Sequence, residues 1–344
     1  MARRNAHRTF SPGDFMRAVI HSIRSDDEGV ASTLGTTMAL LVFLTFLSLI
    51  VNQYVPAWMK ESEAAHTNSV VGQFGGLKGA IDLQILAAHS AQNARQTYIP
   101  VTATTPVSLG VDGVPIFATS TPATMTAFPA AGAFTVEFYY AIQGQPTRVA
   151  EVSNGSVEID IQNRYFPPQR IIYENGAVIR YQSEGQVIRA APIFSVRKVN
   201  NALDISFALV SLYGGGTVSG TNTEVINSQL FALDPQNYAN FPANSVIWIN
   251  QTSRYGLAWY QFLNETLANA LKLSGTFTKT ALDVSFTGKV GATTVYIVRA
   301  SYNPTNQVYN MRLEIRNTGI LPLLAFQLLH AQVQVRVGDS AASP

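Results

Sequence analysis

The chain has 344 residues, of which 47% are hydrophobic and only 13% charged, with 23 Lys and Arg against 21 Asp and Glu for a net charge of +2. That balance is too apolar for a disordered chain and lacks the clustered positive charge that nucleic acid binding needs, so no nucleic acid partner is expected. Cysteine is absent, which excludes disulfide frameworks, thiolate zinc sites, iron–sulfur clusters and cysteine nucleophiles together.

The charge is unevenly spread. Residues 1–24 hold Arg3, Arg4, Arg8, Arg17 and Arg24 against Asp14 alone. The run from Leu34 to Val55, LGTTMALLVFLTFLSLIVNQYV, has no ionisable group except Tyr54, and its 22 residues match the thickness of a bilayer core at about 1.5 Å per residue. A single membrane span is expected, with Leu34, Leu40, Leu41, Val42, Phe43, Leu44, Phe46, Leu47, Leu49 and Ile50 as its apolar surface and Tyr54 and Trp58 at the far interface. The arginines lie on the amino side, so the positive-inside rule puts the N-terminus in the cytoplasm and the rest of the chain outside. A cleaved secretory signal fits less well, because the run is too long and ends in Val55-Pro56-Ala57.

The stretch Glu28-Gly29-Val30-Ala31-Ser32-Thr33-Leu34-Gly35-Thr36-Thr37-Met38 resembles the start of archaeal type IV pilin-like proteins, where a glycine precedes a short Val/Ser-containing segment, a second glycine and the membrane helix. The resemblance implies processing next to Gly29, at the Gly29-Val30 position, by a prepilin peptidase, and a helix that stays in the bilayer or packs with other pilin subunits in a filament. It covers mainly residues 24–60. Four segments follow: a cytoplasmic leader over 1–29, a transmembrane helix over 30–56, a helical stalk over 57–97, and an extracellular β-rich domain over 98–340.

In the stalk, Val70, Phe74, Leu77, Ile81 and Ile85 recur at helical spacing, and this face is expected to pack on the following sheet. Gly72, Gly75, Gly76 and Gly79 predict a kink or a close approach there. From Tyr98 on, short runs rich in Val, Ile, Thr and aromatics alternate with turn residues, predicting strands at 98–109, 114–118, 134–143, 147–152, 156–161, 170–174, 177–182, 186–189, 193–199, 203–212, 225–233 and 246–250. Asp112-Gly113, Asn154-Gly155, Asn175-Gly176, Glu184-Gly185 and Asn200-Asn201 supply hairpin turns. Gly214-Gly215-Gly216 with Thr217–Asn222 reads as a flexible loop, and Asp234-Pro235-Gln236-Asn237 as a turn. Apolar residues from Tyr255 to Leu273 predict one inserted helix over 254–273, closed by Ser274-Gly275. Its Arg254-Tyr255-Gly256-x-x-Trp259-x-x-Phe262 start resembles the late helix of pilin-like ectodomains. Further strands are expected at 276–287, 292–302, 307–317 and 329–337. The fold class is mainly β: a long N-terminal helix followed by an antiparallel, sandwich-like ectodomain with an inserted helix.

Chemistry is sparse. His7, His21, His66, His89 and His330 form no ligand-spaced pair, so neither a metal nor another cofactor is expected. No nucleophile elbow occurs. Glu137 with Glu158 or Asp160 could form a glycosidase-like pair only through strand register, and Trp259 with Tyr260 could offer a sugar platform. Three sequons, at Asn154, Asn250 and Asn264, are possible N-glycosylation sites on an external domain. The expected function is a non-enzymatic, type IV pilin-like surface protein, structural or adhesive, anchored by or assembled through its N-terminal helix. The alternative is a single-pass receptor or glycan-binding module.

Overall fold

The structure, a computed structural model, describes residues 12–114 and 117–338, with side chains from residue 31 onward, and divides between Trp58 and Met59 into two units. The first is helical: α1 (Pro12–Leu49) is followed by a π-helical stretch (Ile50–Tyr54) and by the start of α2 (Val55–Asn93). A π turn forms where the hydrogen-bond ladder slips by one residue, and here Asn52 Nδ2 donates back to Ser48 O at 2.9 Å. The helical hydrogen-bond ladder runs unbroken through 72–79. A Cβ at Gly72, Gly75 or Gly79 would meet nothing within 4 Å, and one at Gly76 would only touch Thr105 Cγ2 at 4.0 Å; the irregular stretch lies at 50–54 instead.

The second unit begins within α2 and continues as strands. First come β1 (Ala103–Ser108), β2 (Ala123–Phe128), β3 (Ala133–Ile142), β4 (Gln145–Ser153), β5 (Ser156–Ile161) and β6 (Gln169–Glu174). β7 (Ala177–Gln182), β8 (Gly185–Ala190), β9 (Phe194–Val199), β10 (Ala202–Gly215), β11 (Thr217–Gly220) and β12 (Thr223–Ala239) continue the run. β13 (Val246–Ser253) leads into α3 (Gly256–Leu271), and β14 (Ser274–Lys279), β15 (Asp283–Val290), β16 (Thr293–Asn303), β17 (Val308–Arg316) and β18 (Leu323–Val337) close it. They form a five-stranded sheet β1-β12-β18-β10-β9, a six-stranded sheet β11-β2-β5-β6-β7-β8 and a seven-stranded sheet β14-β15-β16-β17-β13-β3-β4. Pairing is antiparallel except between β10 and β18, which run parallel. The fold is thus mainly β with a long N-terminal apolar helix.

Local chemistry sets the hairpins. Asn175-Gly176 and Asn200-Asn201 both take positive φ, as a two-residue type I′ turn requires, and Gln143-Gly144 is a third such pair that the sequence reading passed over. The triple-glycine segment is not a loop. Gly214 and Gly216 both have φ of +120°, and a Cβ at either would run into the carbonyl of Val335 or Val337. Glycine therefore lets β10 lie against β18 and pass directly into β11. Asp234–Asn237 is likewise strand rather than turn, Pro235 facing Leu329. Its missing N–H costs nothing in the ladder, because β1 leaves the other edge of β12 at Ser228. The expected strand 276–287 is two strands, β14 and β15, joined by a turn closed through Thr280 N to Asp283 O (2.8 Å). The 114–118 strand is not formed: Phe117 N and Ala118 N both bond back to Val114 O, and residues 115–116 lie outside the described residues. β2 was missed because its alternation rests on Ala and Thr more than on large apolar side chains.

Two hydrophobic cores organise this unit. In one, Val70, Phe74, Leu77, Ile81 and Ile85 of α2 pack against Val157, Ile159, Ile171 and Tyr173 of the six-stranded sheet and against Ile226 and Val333 of the five-stranded one. Polar groups fasten the helix along its length. Glu63 takes the backbone N–H groups of Arg164, Tyr165 and Phe166 at 3.0, 2.8 and 2.7 Å, and the Gln84 amide joins the backbone of Ser228 and Leu230. In the other core, Trp259, Leu263 and Leu267 of α3 pack with Phe134, Ile249, Val298 and Leu313 of the seven-stranded sheet and with Ile172 and Phe207 behind them.

Candidate functional site

The apolar helix is the first functional element. Leu34, Leu40, Leu41, Val42, Phe43, Leu44, Phe46 and Leu49 are exposed and Leu47 and Ile50 half-buried, and the most hydrophobic 18-residue window has a mean hydropathy of 2.3 with none of it covered by protein. Three of its threonines are turned inward on the helix itself: Thr36 and Thr37 donate to Thr33 O (2.9 and 2.8 Å), and Thr45 to Leu41 O (2.8 Å). Hydroxyls satisfied this way expose no unpaired donor to a hydrocarbon surround. The helix is long and apolar enough to cross a membrane. Gly29 and Val30 lie on the helical backbone of α1.

In the β unit, the junction between β13 and α3 gathers polar groups that no local motif announces. Glu174, at the end of β6, is 1% exposed. Its carboxylate accepts from Gln251 Nε2 (2.9 Å), Ser253 Oγ (2.8 Å) and Trp259 Nε1 (2.9 Å), which ties the six-stranded sheet to β13 and α3. Gly132, at φ +62°, leaves room for it, since a Cβ there would strike the carboxylate. Burial pushes the Glu174 carboxyl up to about 7, against the three hydrogen bonds that pull it down, and the nearby charge of Glu158 adds to the rise. Glu158 takes the Tyr255 hydroxyl at 2.9 Å and Ser156 Oγ at 3.1 Å. Register explains the juxtaposition: Glu174 faces Ser156 across the ladder, so Glu158 is its diagonal neighbour on the same sheet face.

Two cavities meet here and share Arg254 and Tyr255 in their walls. One, of about 330 Å³, runs past Phe128, Ala131 and Gly132 to Glu158 and Glu174. The other, of about 380 Å³, is a cleft with Arg170, Tyr181, Gln186, Tyr302 and Tyr309 around it. The cleft floor is held rigidly. Gln186 receives Ala258 N (3.1 Å) and donates to Arg254 O (3.3 Å), and Tyr181 meets the ring of Tyr255 edge-on at 5.8 Å. Gly256 lets β17 close on the first turn of α3, because a Cβ there would collide with Tyr309.

The other expected residues fall elsewhere. Trp259 is fully buried, edge-on to Phe134 at 4.7 Å, and Tyr260 is 4% exposed. They form no sugar platform, because the aromatic stripe of an amphipathic helix faces its core. Glu137 pairs with Arg148 (3.2 Å) and Asp160 with Arg170 (3.0 Å), so neither joins Glu158. Asn154 is exposed in the β4–β5 turn, Asn250 is half-buried on β13 in the interior of its sheet, and Asn264 keeps its side-chain oxygen buried on α3. His66 is held by Ser108 O at 2.9 Å, and burial lowers its pKa. Among the described residues no group of three or more His, Asp or Glu side chains could hold a metal ion; His7 lies outside them.

His330 bridges two sheets, with Ser211 Oγ 3.1 Å from Nε2 and Glu151 Oε2 3.2 Å from Nδ1. The order resembles a hydrolytic triad. The N–H groups flanking Ser211 are already committed, however: Val210 N donates to Asn175 Oδ1 (2.7 Å) and Leu212 N to Asn154 O (2.8 Å). Neither flanking N–H is therefore free to stabilise an oxyanion at Ser211, and the geometry suits a strut between β18 and the edge strand β4.

No protein-family model, curated protein or solved structure matches this chain.

Proposed function

We propose that this chain is a type IV pilin-like surface protein, in which the N-terminal helix anchors the molecule in a membrane or assembles with like helices, and the β unit is displayed outside as a structural or adhesive module. The observation that carries this reading is the helix itself, apolar on every side between Leu34 and Leu49, uncovered by protein, and with its threonines bonded to its own backbone. The arginines at 3, 4, 8, 17 and 24 orient the N-terminus toward the cytoplasm under the positive-inside rule. The Gly29-Val30 pattern supports processing by a prepilin peptidase, after which the helix would begin close to its apolar run.

The experiment is intact-mass and amino-terminal analysis of the protein taken from its native membrane. A chain starting at Gly29 or Val30 supports the pilin-like reading. A chain starting at Met1 overturns processing and leaves a signal-anchored surface protein; one starting near Trp58 overturns the membrane anchor as well.

A further inference from the structure

The cleft beside α3 is built from side chains with free polar ends on a fixed floor. Tyr181, Tyr302 and Tyr309 are half-buried in its wall, and their hydroxyls have no hydrogen-bond partner among the described residues. They are near one another: the Tyr302 and Tyr309 rings are 4.8 Å apart, and the neighbouring Tyr302 and Tyr181 hydroxyls add to the upward push that burial exerts on the Tyr309 phenol. Arg254 has no ion-pair partner among the described residues, and Gln182, Glu184 and Gln307 add amide and carboxylate groups to the rim.

Charge and polarity narrow the ligand. Arg170 is already neutralised by Asp160 at 3.0 Å, which leaves Arg254 as the uncommitted cation, with Glu184 on the same rim. A phosphate-bearing ligand needs a surplus of positive charge that this wall lacks. An apolar ligand would bury the phenol hydroxyls and a guanidinium without partners, which desolvation penalises. A ligand with apolar C–H faces and many hydroxyls satisfies both demands, because the tyrosine faces take the C–H surface while phenol, amide and guanidinium groups take the hydroxyls. The cleft, at about 380 Å³, lies within the ~300–1,000 Å³ usual for small-ligand sites. Its floor is pre-organised through Gln186, Tyr255 and Gly256, so little ordering is lost on binding.

We propose that the cleft between the β7–β8 turn, the start of α3 and the β16–β17 hairpin binds a short carbohydrate, with Tyr181, Tyr302 and Tyr309 as the stacking wall and Arg254 as the hydroxyl-binding fork. The site lies wholly within the β unit and stands whether or not the N-terminal helix is processed.

The test is calorimetric titration of the full-length protein in a detergent without a sugar headgroup. The titrants are neutral malto- and chito-oligosaccharides, oligogalacturonate, and inorganic phosphate. Saturable binding of at least one saccharide is expected, weakened about tenfold or more by Tyr309→Ala and by Arg254→Ala with the thermal unfolding midpoint unchanged. Phe231→Ala, an exposed aromatic on β12, should leave it untouched. If Tyr309→Ala unfolds, Tyr302→Phe removes a single hydroxyl and should still weaken binding severalfold. The proposal is overturned by no saturable binding of any saccharide, by binding of phosphate alone, or by affinity indifferent to the cleft substitutions.

Discussion

Two stretches of one helical segment contrast most sharply in this molecule. Between Leu34 and Leu49 apolar side chains surround the helix and protein covers none of the most hydrophobic window. From Met59 to Asn93 a buried apolar stripe runs along one side, with Val70, Phe74, Leu77 and Ile81 on it 0% exposed, while Leu83 and Leu86 lie exposed off it among polar residues. Backbone geometry is shared; the surround differs. A helix that must face water on one side keeps a polar face, whereas one apolar all round needs a hydrocarbon or helical surround. The contrast teaches that the width of the apolar stripe, more than its mean hydropathy, tells which solvent a helix was built for.

The most forceful way to break this comparison is to truncate matched phenylalanines. Phe74→Ala should cost the β unit about 3–5 kcal/mol through lost burial and a residual cavity, read as a large drop in the denaturation midpoint. Phe43→Ala should leave that midpoint where it is, and equal losses from both would show that the first unit is also a folded core. Replacing Phe43 and Phe46 by lysine tests the other side. Each lysine should oppose membrane insertion by about 2.5–3.5 kcal/mol, so carbonate extraction should release the double variant while its β unit melts normally.

Buried charge sharpens the contrast further. Glu63→Ala orphans the three N–H groups of residues 164–166 and should destabilise the β unit by about 3 kcal/mol. Glu174 makes a pH-dependent prediction. Its folded pKa of about 7 lies above the ordinary value of 4.5 for a glutamate carboxyl, so between these two values the folded state binds more protons than the unfolded state. Stability from this group is therefore complete below about pH 4.5 and is lost as pH rises toward 7, by about 3 kcal/mol in order of magnitude. Glu174→Gln should flatten that slope in urea titrations at stepped pH; a slope unchanged in the variant would assign the dependence to another group. The smallest expected effect is at the stripe's outer side, where Gly72→Ala and Gly79→Ala meet open space and should each raise stability by about 0.5–1 kcal/mol through helix propensity.

Much of the β unit was legible because its strands obey local rules. β5 and β7 occupy 156–161 and 177–182 as expected, and the helix expected over 254–273 is α3 at Gly256–Leu271. Where the reading failed, a neighbour had overruled the local signal. Gly214 and Gly216 look like flexible punctuation until the carbonyls of Val335 and Val337 show what they make room for. Pro235 looks like a turn until the open edge of β12 shows that no donor is missed. The cleft was illegible for a different reason. Tyr181 comes from one hairpin, Tyr302 and Tyr309 face each other on another, and Arg254 precedes a helix, so no spacing in the chain links the three parts. Arg254-Tyr255-Gly256 was the one local hint, and it pointed only to a helix.

What the sequence determined by itself is therefore what periodicity and punctuation can carry: an apolar helix long enough for a bilayer, a one-faced helix after it, and a succession of short strands with one inserted helix. Each depends on residues a few positions apart, and the physics that reads them, burial of one face or of all faces, acts within a single element. Tertiary structure alone decided the parallel pairing of β10 with β18, the burial of Glu174 under Trp259, Gln251 and Ser253, and the convergence of tyrosines beside α3. Those depend on which elements become neighbours, and that choice rests on the summed packing of two cores rather than on any local run of residues.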